Sequence, residues 1–201
     1  MKGVPMTYVD PIAHQVRPAD GTIPTAHAVQ ERRLHDLSGL FADREAEAAL
    51  LERDPLIYRV YDAADLPKQD GHLLYSTTVI EPGRVGDEYF MTQGHFHARA
   101  DRAELYYGVS GEGLLLLQTP EGRVESLAMT AGTAAYVPPY WGHRTVNTGA
   151  APFVFLACYP ADAGYDYGTI ARDGFAGIVV ASPEGPKVVA NPRYRTGAGA
   201  G

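Results

Sequence analysis

The sequence predicts one all-β domain, built as an antiparallel sandwich or barrel. From Leu56 onward, short runs rich in Val, Tyr, Leu and Thr are separated by turn sequences such as Glu81-Pro82-Gly83 and Thr119-Pro120-Glu121-Gly122, which is the pattern of closely spaced strands. No helical pattern intervenes between these runs, so antiparallel pairing is favoured over a parallel sheet with crossover helices. A chain of 201 residues has the length of one domain with one hydrophobic core.

The N-terminal 30 residues carry a different signal. Four prolines, Pro5, Pro11, Pro18 and Pro24, punctuate this stretch, and its apolar residues follow no sustained period. Proline fixes its own backbone and removes a hydrogen-bond donor, which disfavours both helix and sheet interior. We therefore expect an extended arm that packs over another part of the protein.

A short helical segment is predicted between the arm and the strands. Apolar residues recur near helical spacing from Leu34 to Phe41, and Asp43 is placed to cap a second, Ala-rich helical stretch that runs to Arg53. Asp54-Pro55 ends this stretch, because the residue before a proline avoids the α region. We place the arm and helical segment at residues 1–53, the strand-rich barrel at 54–194, and a disordered small-residue tail at 195–201.

Bulk composition narrows the class of function. The formal net charge is −7 and the sequence pI is about 5.4, so a nucleic acid or an anionic membrane is not an expected partner, since both attract basic surfaces. The single cysteine, Cys158, excludes a disulfide within the chain. The sequence shows no secretory leader and no apolar run long enough to cross a bilayer, so we expect a cytoplasmic location.

Two short motifs supply three imidazoles and one carboxylate. In the first, Gly94-His95-Phe96-His97 precedes Glu104, and in the second, Pro138-Pro139-Tyr140-Trp141-Gly142 leads into His143. Side chains two residues apart on a strand point to the same face, so His95 and His97 are expected to face one interior, with Phe96 on the opposite face. Such a donor set suits Fe²⁺, Mn²⁺, Co²⁺, Ni²⁺ or Zn²⁺, and the absence of thiolates argues against a closed structural zinc site.

The spacings of both motifs resemble the cupin superfamily. Residues Gly132, Pro138, Tyr140, His143 and Asn147 match the second cupin motif at every interval, with Tyr140 where that motif usually has glycine. The first motif matches less closely, because six residues separate His97 from Glu104, a longer gap than usual. The resemblance implies a cupin double-stranded β-helix, a jelly-roll barrel whose mouth holds the metal, with an N-terminal arm and short helices outside it.

Longer strings resemble a narrower family. The segments GDEYFMTQGHFHARADRAELYYGVSGEGLLLLQTPEG, PPYWGHRTVNTG, FLACYPADAGYDYGTIARDGF and VVANPRY look like the cupin-type phosphoglucose isomerases, the metal-dependent glucose-6-phosphate isomerases known mainly from archaea and some bacteria. The resemblance extends from about Asp54 to Tyr194. It implies a homodimer that acts on a sugar phosphate and holds one divalent ion per subunit, with Fe²⁺ as the first expectation.

The resemblance also implies a set of site residues. The family's metal ligands fall on His95, His97, Glu104 and His143. Its phosphate contacts fall on Tyr58, Thr78, Thr92 and the backbone around Gly94, and its sugar contacts on Tyr106, Tyr159 and Tyr167. Hydroxyls and backbone N–H groups bind a dianion without a large basic patch, which agrees with the acidic composition.

One further position departs from the family pattern. The chain has Tyr165 where the family usually has a histidine, within Ala161-Asp162-Ala163-Gly164-Tyr165-Asp166-Tyr167-Gly168. We include Tyr165 among the catalytic candidates, because a phenol can donate or accept a hydrogen bond. A role in ring opening as a base is harder for a phenol, whose ordinary pKa is about 10. Three arginines, Arg99, Arg102 and Arg144, flank the ligands and either attract phosphate or pair with nearby acids.

The predicted reaction is the interconversion of glucose 6-phosphate and fructose 6-phosphate. Glu104 is the candidate proton shuttle through a cis-enediol; in a competing hydride shift it would serve only as a ligand. Two other functions remain open at this point. The chain could be a cupin enzyme with another sugar-phosphate reaction, an epimerase or a dioxygenase, or it could be a non-catalytic sugar-phosphate binding module.

Overall fold

In the computed structural model, which describes residues 8–195, antiparallel sheets share one main hydrophobic core. The strands are β1 (Ala28–Arg33), β2 (Leu56–Asp62), β3 (Leu73–Ile80), β4 (Arg84–Val85), β5 (Glu88–Tyr89), β6 (Glu104–Ser110), β7 (Glu112–Gln118), β8 (Val124–Thr130), β9 (Ala134–Val137), β10 (Gly142–Asn147), β11 (Phe153–Pro160), β12 (Gly177–Ser182) and β13 (Gly185–Ala190). Within the described residues they form sheets in the orders β1-β2-β3-β11-β6-β9, β10-β7-β8 and β13-β12-β5-β4. All of the strand pairs are antiparallel, and the predicted all-β cupin fold is confirmed.

The segment before β1 lies over the outer face of the six-stranded sheet. Gly21 adopts a φ of +71°, and a Cβ at this position would stand 2.5 Å from Val154 and 2.7 Å from Val79. The hydroxyl of Thr77 donates a hydrogen bond to the Gly21 carbonyl. Only glycine therefore allows the arm to approach the sheet this closely.

The first strand of the large sheet, β1, begins in the last three residues of the predicted arm and lies within the 1–53 segment that the sequence places outside the barrel. β1 pairs antiparallel with β2, in a register that sets Arg32 opposite Tyr58. Because this pairing joins residues far apart in sequence, no local sequence pattern predicts it. The division of the chain at residue 54 stays a prediction.

The short helices follow the local signals where those are strong. A single 3-10 turn spans Leu34–Leu37, and α1 spans Arg44–Leu51, where the Asp43 side chain accepts from the backbone N–H groups of Glu45 and Ala46. The predicted cap is confirmed. A second helix, α2 (Tyr167–Asp173), buries only Ile170, so its sequence has no apolar period that would predict it.

Asn147 fixes the end of β10 against the rest of the core. Its side chain is fully buried, and its amide nitrogen donates to the carbonyls of Ile80 at 2.8 Å and Ala151 at 2.9 Å. The amide oxygen accepts from Gly149 N–H. These bonds satisfy one backbone group at the end of β3 and two in the turn between β10 and β11, which explains an asparagine at this position of the second motif.

The last residue that the structure describes is Arg195, whose backbone N–H donates a hydrogen bond to the Asp173 carbonyl. The rest of the predicted tail, 196–201, lies outside the described residues. Among the helices of residues 8–195, none has both the length and the apolar character that a membrane span requires.

Candidate active site

The four predicted metal ligands converge from three parts of the fold. Glu104 opens β6, His143 is the second residue of β10, and His95 and His97 lie in the connection between β5 and β6. One donor atom from each lies within 4.8 Å of the others. The spacing in the sequence therefore corresponds to a real cluster in space.

The segment with the two histidines differs from the predicted strand. His95 forms an isolated bridge with His143, while Phe96 bridges to Asp166, so neighbouring residues have different partners and no ladder forms. The backbone is nevertheless extended enough to keep the expected alternation of faces. The Phe96 ring packs at Gly142, where an added Cβ would stand 2.7 Å from it, on the side opposite to the imidazoles.

Backbone carbonyls orient two of the imidazoles. His97 Nδ1 lies 2.9 Å from the Arg102 carbonyl, and His143 Nδ1 lies 3.4 Å from the Trp141 carbonyl. A carbonyl can only accept, so Nδ1 carries the hydrogen and Nε2 is left with its lone pair. This is the tautomer that a metal-binding histidine needs, set by a neighbour outside the ligand shell.

The buried atoms of the cluster fit a cation. Glu104 Oε2 lies 3.1 Å from His97 Nε2 and 3.0 Å from His143 Nε2, the latter without hydrogen-bond geometry. Among the described residues, Nε2 of His95 and Nε2 of His143 have no hydrogen-bond partner although both are buried. Buried nitrogens without partners are costly, and a divalent ion bound by these three imidazoles and one carboxylate would satisfy them.

The charge states of two members of the cluster, His95 and Glu104, agree with ligation. Burial lowers the pKa of His95 well below its ordinary value, and His143 adds to this effect. Burial alone would raise the pKa of Glu104, but His143 and His97 outweigh it and bring the pKa to about 2. His95 is therefore neutral and Glu104 is ionised, which are the ligating forms of both groups.

A cavity of about 250 Å³ opens above the cluster. It contains every predicted substrate contact and three of the four ligands: Tyr58, Thr78, Thr92, Gly94, His95, Glu104, Tyr106, His143, Tyr159, Tyr165 and Tyr167. His97 lies behind this surface. The predicted site residues thus share one cavity, whose wall of hydroxyl groups suits a polyhydroxylated ligand.

β1 and its neighbours provide a wall of the cavity that the sequence alone does not predict. Gln30, Arg32, Asp62 and Ser76 also line the cavity, and among its lining residues Arg32 is the one arginine or lysine. Gln30 and Arg32 alternate with Val29 and Glu31, so they share the inward face of β1. The alternation of residues along β1 predicts that Gln30 and Arg32 share one face. It does not predict that this face lines the cavity, because that depends on the pairing of β1 with β2.

Tyr165 sits at the centre of an aromatic group. Its hydroxyl donates to the Tyr159 hydroxyl at 2.8 Å, and its ring stacks on Tyr167 with centroids 5.5 Å apart. The rings of Tyr165 and His95 meet edge to face, with centroids 4.8 Å apart. Tyr165 is about half exposed, and its partial burial together with Tyr159 and Tyr167 raises the pKa of its hydroxyl. At neutral pH this phenol is a hydrogen-bonding group and not a base.

None of the three arginines that flank the ligands lines the cavity. Arg102 binds Asp162, with Nη2 at 2.7 Å, and Arg99 pairs with the same carboxylate. Arg144 lies buried on the other side of β10, over the ring of Phe175 at 4.7 Å. Their contacts favour pairing and packing over phosphate attraction.

Comparisons with known proteins identify the family. Residues 31–193 match the family model described as glucose-6-phosphate isomerase (GPI). The glucose-6-phosphate isomerase of Thermococcus kodakarensis is 53% identical over 190 residues, which cover 94% of this chain and 100% of that protein. The enzyme of the same name from Sinorhizobium medicae is 46% identical over 167 residues, 82% of this chain and 78% of that one.

Among solved structures, oxalate decarboxylase from Lactobacillus farciminis in complex with formate overlaps with 54% of this chain and 30% of its own, at 20% identity and a TM-score of 0.41. So partial an overlap does not bear on function. The family model and the relatives both extend over nearly the whole chain, including the motifs that build the cavity. On this basis the chain belongs to the glucose-6-phosphate isomerase family.

Proposed function

We propose that this protein is a metal-dependent isomerase that interconverts glucose 6-phosphate and fructose 6-phosphate. The observation that carries the proposal is the cluster of His95, His97, Glu104 and His143 at the floor of a cavity lined by hydroxyl groups. A divalent ion held there would supply Lewis-acid stabilisation of the negative charge that develops on substrate oxygens O1 and O2. The name of the family indicates the substrate.

The phosphate group is proposed to bind at the side of the cavity formed by β1, β2 and β3. Arg32 supplies a positive charge there, and Tyr58 and Thr78 supply hydroxyl groups. The Arg32 guanidinium already donates to the backbone carbonyl of Glu31 and to Oε1 of Gln30. Binding a dianion therefore restricts this side chain little further. This arrangement orients the sugar with its reacting end toward Glu104.

Glu104 is proposed to move the proton. Both of its short imidazole contacts fall on Oε2, so Oε1 is the oxygen available to the substrate. This oxygen would take the hydrogen from C2 of the open-chain aldose and return it to C1, while the O2 hydroxyl proton passes to O1. The carbon skeleton is unchanged, and the intermediate is a cis-enediol.

The tyrosines around the cluster are proposed to hold the sugar. Tyr106 is buried, stacked on Phe155 with centroids 4.9 Å apart, and it meets His143 edge-on. Tyr159 and Tyr167 complete the wall with Tyr165. Because these rings are fixed by one another, they present hydroxyl groups at set positions around the sugar, while Tyr165 and Tyr167 remain partly open to solvent.

Two experiments test the proposal. Isomerase activity should disappear when the protein is stripped with a chelator and return when Fe²⁺, Mn²⁺, Co²⁺, Ni²⁺ or Zn²⁺ is added, and metal analysis should find one ion per chain. Undiminished activity in thoroughly metal-free protein would reject metal dependence.

For the reaction route, turnover in deuterated water should place deuterium at C1 of fructose 6-phosphate. Complete retention of the original hydrogen would reject the enediol and favour a hydride shift. The expected homodimer stays a prediction, which the molecular mass in solution tests.

A further inference from the structure

A second cavity, of about 180 Å³, lies at the far end of α2 from the active site. α1 and the C-terminal segment provide its other walls, and it shares no residue with the first cavity. Four arginines line it, Arg44, Arg172, Arg193 and Arg195, together with one acidic residue, Asp173. Such a concentration of positive charge is unexpected in a chain whose net charge is −7.

Two of these arginines are fixed in place by carboxylates. Arg44 donates to Glu47 at 2.7 Å and to the Gly39 carbonyl at 2.7 Å. Arg172 binds Asp173 with two parallel hydrogen bonds, of 2.9 Å and 2.6 Å. Their orientation is therefore set, but each of these two positive charges is already balanced.

The positive charges of the other two arginines, Arg193 and Arg195, are not balanced by a carboxylate within residues 8–195. Within residues 8–195 the side chains of Arg193 and Arg195 form no ion pair and no hydrogen bond, and both are exposed. Their backbone is nonetheless pinned, since Arg193 N–H donates to Asn191 Oδ1 at 2.9 Å and Arg195 N–H donates to the Asp173 carbonyl at 2.9 Å. Two uncompensated guanidinium groups thus stand on an ordered segment beside a cavity.

We infer that this cavity is a second anion site, which binds a phosphate group. Guanidinium groups match phosphate geometrically because their parallel N–H bonds meet two oxygens at once. An excess of two positive charges complements a phosphate dianion. The inference goes beyond the proposed isomerase reaction and does not depend on it, because the residues are different.

Equilibrium dialysis tests the site. The full-length, metal-loaded protein is dialysed at low ionic strength against radiolabelled inorganic phosphate up to millimolar concentration, and in a parallel arm against phenyl phosphate. The double variant Arg193→Gln and Arg195→Gln should bind one phosphate fewer per chain than the wild type, or bind it about tenfold more weakly. Its kcat and KM for isomerisation should be unchanged, which shows that the chain is folded and the first cavity intact.

Arg123→Gln is the matched control, because Arg123 is exposed, pairs with Glu125 and does not line this cavity. It should retain the phosphate binding of the wild type. Preference for inorganic phosphate over phenyl phosphate would identify a free anion as the ligand, and the reverse would identify a phosphate ester. Wild-type binding in the double variant, or an equal loss in Arg123→Gln, would overturn the inference, since the latter indicates only diffuse attraction.

Discussion

Replacement of Tyr165 by phenylalanine separates two roles for this residue. The change keeps the ring that stacks on Tyr167 and removes the hydroxyl that donates to Tyr159. Because burial and the neighbouring tyrosines raise the pKa of Tyr165, its hydroxyl remains protonated at neutral pH. We therefore expect Tyr165 to position Tyr159 and the sugar and not to transfer the proton.

The magnitude of the effect distinguishes these roles. A neutral hydrogen bond contributes about 0.5–1.5 kcal/mol, so loss of the bond at 2.8 Å should lower kcat/KM by roughly 2- to 13-fold. Removal of a general acid or base instead costs about 10²- to 10⁴-fold. The two ranges do not overlap.

The assay follows glucose 6-phosphate formation from fructose 6-phosphate with a coupled dehydrogenase, and kcat and KM are determined separately. Tyr107→Phe serves as the matched control, because Tyr107 lies exposed on the same protein outside the cavity. A loss above about 100-fold in kcat for Tyr165→Phe, with Tyr107→Phe unaffected, would refute the positioning role and assign proton transfer to Tyr165.

Three further variants test the phosphate side, the buried charge and the core. Arg32→Gln should raise KM for glucose 6-phosphate about tenfold or more with a smaller change in kcat, because a hydrogen bond to a charged group is lost; a KM equal to that of the wild type would remove Arg32 from phosphate binding. Burial raises the pKa of Glu88 from 4.5 to about 7, so the stability that this group contributes is present below pH 4.5 and is lost as pH rises through 7. Glu88→Gln should abolish this dependence and be about 3 kcal/mol more stable than the wild type at pH 8, as measured by urea unfolding across pH; parallel curves would contradict the assignment. Asn147→Ala should lower the free energy of unfolding by about 2–3 kcal/mol, because the buried Ile80 carbonyl and two partly buried backbone groups of the turn lose their partner, and a loss under about 1 kcal/mol would show that water replaces the amide.

The metal cluster could be anticipated because its information is local. Because His95 and His97 are two residues apart in an extended segment, their side chains point to the same side. The Pro138-Pro139 turn fixes the backbone direction just before His143. The one departure of the second motif from the cupin pattern, Tyr140, coincides with an unusual backbone conformation. Tyr140, which stands where cupins usually have glycine, adopts a φ of +70°, the left-handed conformation that glycine enters without strain.

The parts that sequence analysis missed depend on distant contacts. Arg32 reaches the cavity only because β1 pairs with β2 across more than 20 residues, and neither strand alone specifies that register. The helix α2 carries a single buried residue, Ile170, so tertiary contacts and the cap at Asp166 define it more than its own apolar pattern does.

The position of β1 has a consequence for association between chains. Among the described residues β1 is an outer strand of the six-stranded sheet, and its free edge presents backbone groups that another strand could pair with. Gln30, Glu31, Arg32 and Arg33 place polar or charged groups along this strand, which opposes such pairing. The same strand therefore lines the cavity and protects the sheet from edge-to-edge aggregation, so an apolar substitution at Arg32 would impair solubility as well as the proposed phosphate binding.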